Sequence, residues 1–289
     1  MTQTQRSILK QKLAGKEIVV APGIFDMISV RLADRMGFDS LYMTGYGTVA
    51  SYLGEADAGL ATYTDMVNRV SAFCGASKTP IICDGDTGYG GLLNVAHTVR
   101  GYEKAGAAGI QLEDQEFPKK CGHTPGRRVI AAEEMVKKIK VAKEARIDPD
   151  LLIVARTDAR TSLGLDEALR RGEMYVKAGA DVIFIESPES EKELEIIGKT
   201  FEVPLLVNVV EGGRTPQLTP AELQALGFSL AIYPASGFLA VAQALEKVYG
   251  EIKARKGTTG HMGELYSFAG MCTLMGFEAV WDFDKKHAD

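Results

Sequence analysis

Asp84 and Asp86 stand two residues apart in the segment DGDTGYGG. Two hard carboxylates so close are a good start for Mg2+ or Mn2+, ions that complete their shells with water and substrate oxygens. A pair of turn-capping aspartates would read the same way, but further acids at Glu113 and Glu186, each closing another apolar run, favour a metal. Arg156, in ARTDAR, can grip a carboxylate through a two-pronged fork or pair with a glutamate of a neighbouring strand. Asn208 can donate to a substrate carboxylate or satisfy backbone groups. Cys121 lies in Lys119-Lys120-Cys121-Gly122-His123, where adjacent positive charge would lower the thiol pKa and make it an acid, base or nucleophile. On its own it would read as an exposed cysteine of a basic loop. The glycines of GDTGYGG do not have dinucleotide-motif spacing, and the lysine and hydroxyl of a P-loop are missing.

These residues are spread over more than a hundred positions, so a scaffold must gather them. Eight short apolar, β-branched runs supply one: Glu17–Ala21, Ser40–Thr44, Pro80–Asp84, Gly109–Glu113, Leu152–Thr157, Val182–Glu186, Pro204–Val209 and Leu230–Tyr233. Continuous apolar character suits parallel strands buried on both faces. Helical periodicity fills the gaps at Phe25–Arg35, Tyr63–Phe73, Leu93–Ala105, Ala132–Ala145, Leu165–Ala178 and Glu191–Thr200. Two segments, AGAAG at 105–109 and AGADV at 178–182, repeat one device in which a glycine ends a helix just before a strand. Eight such units predict a (β/α)8 barrel of the TIM type, whose active site lies at the C-terminal ends of the strands. The chain is expected to form one domain over 1–289, with a C-terminal helical appendage from about 236 to 289. An open doubly wound sheet would need fewer strands.

Composition agrees. The 289 residues are 46% hydrophobic and 25% charged, enough for a large core without staples. A net charge of −5 gives no reason to expect nucleic acid or an anionic membrane as partner. Cys74, Cys83, Cys121 and Cys272 form no CxxC pair. The polar opening MTQTQRSILKQKLAGKE has no secretory character, and no run reaches membrane-span length. The expectation is a cytoplasmic protein with reduced thiols.

The combination of DGDTGYG, LEDQ, KKCGH, ARTDA, IES and a Thr-Gly-rich second strand end resembles the isocitrate lyase/phosphoenolpyruvate mutase superfamily, in the same motif order from about Ala21 through Tyr249. KKCGH is the most specific part: it resembles the gating-loop motif of the carbon–carbon lyases and differs from the asparagine-containing loop of the phosphonate-forming mutases. The resemblance implies that Asp84 and Asp86 anchor Mg2+, with Mn2+ as a substitute, and that Asp57 and Glu113 stand in its outer shell. It implies that Thr44, Gly45 and Tyr46 line the substrate with backbone amides while Arg156, Glu186 and Asn208 surround its oxygens. Cys121, Gly122 and His123 would close as a catalytic lid, with Arg156 and Glu113 also in the catalytic set. It further implies a homotetramer that exchanges a C-terminal helix between subunits.

Two departures bear on the substrate. Branches acting on tricarboxylates show SGGG at the second strand end and an arginine after the eighth strand; here those places read TGYG and Leu239. Without that cation the expected substrate is a dicarboxylate, 2,3-dimethylmalate or a related alkylmalate, cleaved to pyruvate and a monocarboxylate such as propionate. Cleavage of 2-methylisocitrate to pyruvate and succinate is the runner-up, followed by oxaloacetate hydrolysis or decarboxylation. A barrel that only binds a dicarboxylate is the remaining reading, since fold alone does not prove activity.

Overall fold

A computed structural model of the chain describes residues 4–124, 126–259 and 265–288. Eight strands close a parallel barrel in chain order: β1 (Val19–Ile24), β2 (Leu41–Met43), β3 (Ile81–Asp84), β4 (Gly109–Glu113), β5 (Leu152–Thr157), β6 (Val182–Ile185), β7 (Leu205–Asn208) and β8 (Leu230–Tyr233). The seam pairs Val19–Pro22 of β1 with Leu230–Tyr233 of β8. The helices of the barrel are α1 (Gln5–Leu13), α2 (Met27–Met36), α3 (Gly45–Leu53), α4 (Tyr63–Ala76), α5 (Leu92–Ala105), α6 (Ala132–Ala145), α7 (Ala159–Leu163), α8 (Leu165–Ala178), α9 (Glu191–Thr200) and α10 (Pro220–Ala225). The expected (β/α)8 architecture is therefore present, with β4, β5, β8, α6, α8 and α9 at the expected bounds.

Side-chain parity explains how this wall gathers a site. Successive strand residues face opposite sides, and one buried cluster fills the barrel interior, including Tyr42, Ile82, Leu152, Val154, Val182, Phe184, Leu206 and Leu230. Two residues further along each strand, the same inward parity falls on Thr44, Asp84, Arg156, Glu186 and Asn208. The intervening residues, such as Met43, Cys83, Ile153, Ile183 and Val207, join a second cluster with the helices.

The polar opening of the chain, which gave no helical signal in the sequence, forms α1. Its Leu9 and Leu13 complete the interior cluster and thereby floor the barrel, and Arg6 donates from Nε to the Ala107 carbonyl at 2.9 Å, just ahead of β4. Burying each leucine contributes roughly 1.5–3 kcal/mol. The glycine-rich TGYG segment is also helical: Thr44 caps α3, its Oγ1 accepting from the Gly47 amide.

The chain divides into two compact units between Gly237 and Phe238. Helices α11 (Ser236–Arg255), α12 (Phe268–Met275) and α13 (Phe277–His287) lie in the region expected as an appendage; residues 260–264 and 289 of that region are outside the described set. Neither α11 nor α13 buries a residue, and Tyr249, Phe268, Trp281 and Phe283 are exposed.

Candidate active site

The inward residues meet at the C-terminal mouth of the barrel. Asp84 ends β3 and is buried; its Oδ1 accepts from the Asp86 amide at 3.0 Å and from Gln111 Nε2 at 3.2 Å. Gln111 in turn accepts from Tyr42 Oη at 2.6 Å. Sequence reasoning passed over Gln111, although it shares the inward parity of Glu113 two residues on. Strand alternation would put residues two apart on one face, but β3 stops at Asp84, and Asp86 follows in a turn with φ +49°. The turn, not the pleat, brings the two carboxylates together.

The first turn of α3 approaches the same point. A Cβ on Gly45 would lie 2.6 Å from Asp84 Oδ2, so only glycine lets the backbone come this close. Thr44 and Gly45 are buried here, and Tyr46 is exposed. First-turn amides carry the positive end of a helix and suit an anion.

Lys119 is the largest departure from expectation. Its neighbour Cys121 was expected to feel its charge; instead the buried ammonium ion-pairs with Asp57 and lies 2.7 Å from Asp86 Oδ1. Burial would lower its pKa, but Asp86, Asp57, Glu113 and Asp84 overcome this and hold it protonated. The carboxylates show the converse. Burial raises Asp84 against Lys119 and Arg156, pushes Asp86 up to about 7 against Lys119, and raises Glu113 well above the usual range against Arg156 and Lys119.

Arg156 is buried and pairs three ways. Its Nε and Nη2 donate to Asp158 Oδ2 and Oδ1, each at 2.9 Å. Glu113 Oε2 and Glu186 Oε2 each stand 3.4 Å from its outer nitrogens. Of the two sequence alternatives for Arg156, the ion pair with glutamates of neighbouring strands is present. Asn208 Nδ2 donates to Glu186 Oε2 at 3.1 Å, while its Oδ1 is buried without a partner. Asp114, one residue after Glu113, points the other way and accepts from Thr157, Tyr175 and Arg171, tying the strand ends to α8.

The KKCGH loop is docked over these groups. Gly122 packs so tightly that a Cβ would lie 2.5 Å from Arg156 Nη2 and 2.7 Å from Glu186 Oε2. Ser187 Oγ donates to the Gly122 carbonyl at 3.1 Å. His123 Nε2 lies 3.1 Å from Asn208 Nδ2 and 3.6 Å from Glu186 Oε1. Burial lowers the His123 pKa, with Arg156 and Arg127 acting in the same sense against Glu186, so the imidazole is neutral at pH 7. Cys121 is half-buried, its amide donating to the Asp57 carbonyl at 3.1 Å.

The expectation of an acidified Cys121 is corrected as well. Burial raises the thiol pKa and the Asp57 charge adds to it, outweighing the His123 amide and Arg156. The group is therefore a thiol, not a thiolate, at neutral pH. Its alkylation by iodoacetamide should keep accelerating above pH ~8.5, where a free cysteine is half ionised. A rate that levels off below that pH would show a thiolate and contradict the assignment.

The region 9–253 matches the family model described as phosphoenolpyruvate phosphomutase. The chain belongs to this family. Within the phosphoenolpyruvate mutase/isocitrate lyase superfamily, it is 49% identical to 2,3-dimethylmalate lyase of Eubacterium barkeri, over 97% of each chain. It is 40% identical to 2-methylisocitrate lyase of Aeropyrum pernix, over 98% of this chain and 90% of the relative. A crystal structure of 2,3-dimethylmalate lyase superposes with a TM-score of 0.93 at 34% identity, covering 100% of this chain and 97% of the other. The carbon–carbon lyase class implied by the resemblance stands.

A superfamily member, phosphonopyruvate hydrolase, has been solved with oxalate and Mg2+; it superposes with a TM-score of 0.90 at 29% identity, covering 99% of this chain and all of that one. The donors here fit such an ion. Asp84 and Asp86 offer hard oxygens, and Glu113 Oε1 is buried without a hydrogen-bond partner. Among the described residues no three His, Cys, Asp or Glu side chains form a ready-made metal cage. Mg2+ does not need one, since it binds through one or two carboxylates and keeps several waters.

Proposed function

We propose that this enzyme cleaves the C2–C3 bond of 2,3-dimethylmalate, or a close alkylmalate, to pyruvate and propionate. The observation that carries this reading is the position of Cys121 in a loop whose Gly122 rests on Arg156 and Glu186, where burial pushes the thiol pKa up and favours its protonated form. A Mg2+ held by Asp84 and Asp86, with Asp57 and Glu113 around them, would act as a Lewis acid beside the substrate's hydroxyl and carboxylate. Arg156 and Asn208 orient the substrate oxygens within the frame set by Glu186, and Thr44, Gly45 and Tyr46 present first-turn backbone to them. Transfer of the hydroxyl proton to a base, Glu113 or a group of the lid, lets C2–C3 break; C2 becomes the pyruvate carbonyl, and the bond's electron pair passes to C3 as a carboxylate enediolate. Arg156 stabilises that charge. Cys121 then gives its proton to C3, completing propionate, while the neutral His123 closes the lid against Asn208.

The reading includes a cytoplasmic homotetramer in which the helices of 236–289 pass between subunits. The exposed apolar side chains of Tyr249, Trp281 and Phe283 support this. Among the described residues no helix is long and apolar enough to cross a membrane.

The deciding experiment is turnover across 2-methylmalate, 2,3-dimethylmalate, 2-methylisocitrate and oxaloacetate, with pyruvate and oxalate assayed separately. The expected result is a higher kcat/KM for 2,3-dimethylmalate than for 2-methylisocitrate. The reverse order would mean that a third carboxylate finds a partner, and oxalate from oxaloacetate would identify a hydrolase. One methylene changes discrimination by only about 1–3 kcal/mol, so the whole series is needed.

A further inference from the structure

We infer that Arg127 is a positioning residue: it seats the returning leg of the lid and, through Asp158, aims Arg156 at the substrate carboxylate. This rests on the reading of the KKCGH loop, which Arg127 follows, as a lid over an anion site. The lid has a fixed neck, where Gln115 bridges Val129 and the Glu116 amide donates to the Arg128 carbonyl at 2.9 Å. Arg127 is the second residue inside that neck on the way back. Its guanidinium is buried, ion-pairs through Nη1 with Asp158 Oδ1, and donates from Nη2 to Thr161 Oγ1 at 2.7 Å. The same Asp158 Oδ1 accepts from Arg156 Nη2.

One carboxylate is therefore shared by two guanidiniums, one from the lid and one from β5. The trio carries a net charge of +1 (two cations and one anion), whereas Arg156 and Asp158 alone would be neutral. The sharing leaves Arg156 less fully neutralised by Asp158 on the edge that faces Glu113 and Glu186. Both of those contacts are 3.4 Å long, beyond ordinary hydrogen-bond length, so an arriving carboxylate can take the better geometry. When the lid lifts, Arg127 leaves with it and Asp158 neutralises Arg156 in full. Closure and anion affinity are thus one event.

The test follows the lid through alkylation of Cys121, with oxalate plus Mg2+ as the probe. In the unaltered enzyme the probe should protect Cys121 from iodoacetamide. Arg127→Met should abolish most of that protection and lower kcat/KM by roughly 10²-fold, the scale of a misplaced reacting geometry. Arg127→Lys should restore much of both, because an ammonium can still reach Asp158. Thr161→Val, which removes only the second contact, should leave protection intact. If Arg127→Met folds poorly, Arg127→Gln makes the same comparison with Arg127→Lys. Full protection and kcat/KM within twofold of the unaltered enzyme in the Met or Gln variant would overturn the inference. Absence of protection in the unaltered enzyme would instead overturn the underlying lid reading.

Discussion

Cys121→Ser should bind substrate with nearly unchanged KM while kcat falls roughly 10²–10⁴-fold, the usual loss on removing a general acid. A hydroxyl fills almost the space of a thiol but is a far weaker acid, so the change isolates proton donation from packing. The surroundings favour a clean result. The Cys121 backbone is fixed by its own amide on Asp57 and by Thr124, whose amide and Oγ1 reach the Cys121 carbonyl at 3.0 and 2.8 Å. None of these contacts uses the sulfur. Cys83, buried on the outward face of β3, and Cys74, on α4, provide controls. Serine at either should lower Tm more than kcat, because a hydroxyl in an apolar cluster must be desolvated. Wild-type turnover by Cys121→Ser would make the thiol a bystander and shift the proton donor to another group, such as Lys120 or water.

Removal of divalent metal with EDTA should abolish turnover, and Mg2+ should restore it. Asp57, Asp84, Asp86 and Glu113 all raise the Lys119 pKa, and one ammonium cannot balance four carboxylates in a buried site. Burial raises Asp84, Asp86 and Glu113 despite Lys119 and Arg156, so a divalent cation beside them would favour the ionised carboxylates that bind it. Among the described residues no soft ligand set competes for the ion. A second readout needs no substrate: Mg2+ should raise Tm in a concentration-dependent way, and Asp84→Asn should remove most of that shift. Full activity in a thoroughly chelated preparation would sink this assignment.

The strands were legible because parallel strands covered on both faces read as unbroken apolar runs, as in LLIVART and DVIFI. Asp84, Glu113, Arg156, Glu186 and Asn208 were legible because the barrel rule and inward parity select the strand ends, whereas Asp57, Gly45, Tyr46 and the lid role of the KKCGH loop came from the family resemblance. What stayed hidden depended on contacts distant in sequence. Helix α1 has only Ile8, Leu9 and Leu13 as apolar residues in a polar stretch, and α3 contains Gly45 and Gly47, which depress helix propensity. Lys119 gave no sign that it would fold back onto Asp57, sixty-two positions earlier. Nor did Arg127 announce Asp158. Charge partners across a barrel mouth are set by geometry, and local patterning carries no trace of them.

The seam between β1 and β8 has a consequence for how the chain comes to be folded. Residues 19–22 must wait for residues 230–233, and closing a loop of about 210 residues costs on the order of 5 kcal/mol in chain entropy. On a ribosome, every nascent length that ends before β8 is an open sheet with two bare edges, the arrangement that recruits foreign strands. The floor helix α1 is made before any strand, yet Leu9 and Leu13 can complete their packing only when Leu230 and Ile232 arrive. Synthesis therefore leaves α1 and β1 waiting for β8, and a product stalled before β8 is an aggregation hazard rather than a smaller working enzyme.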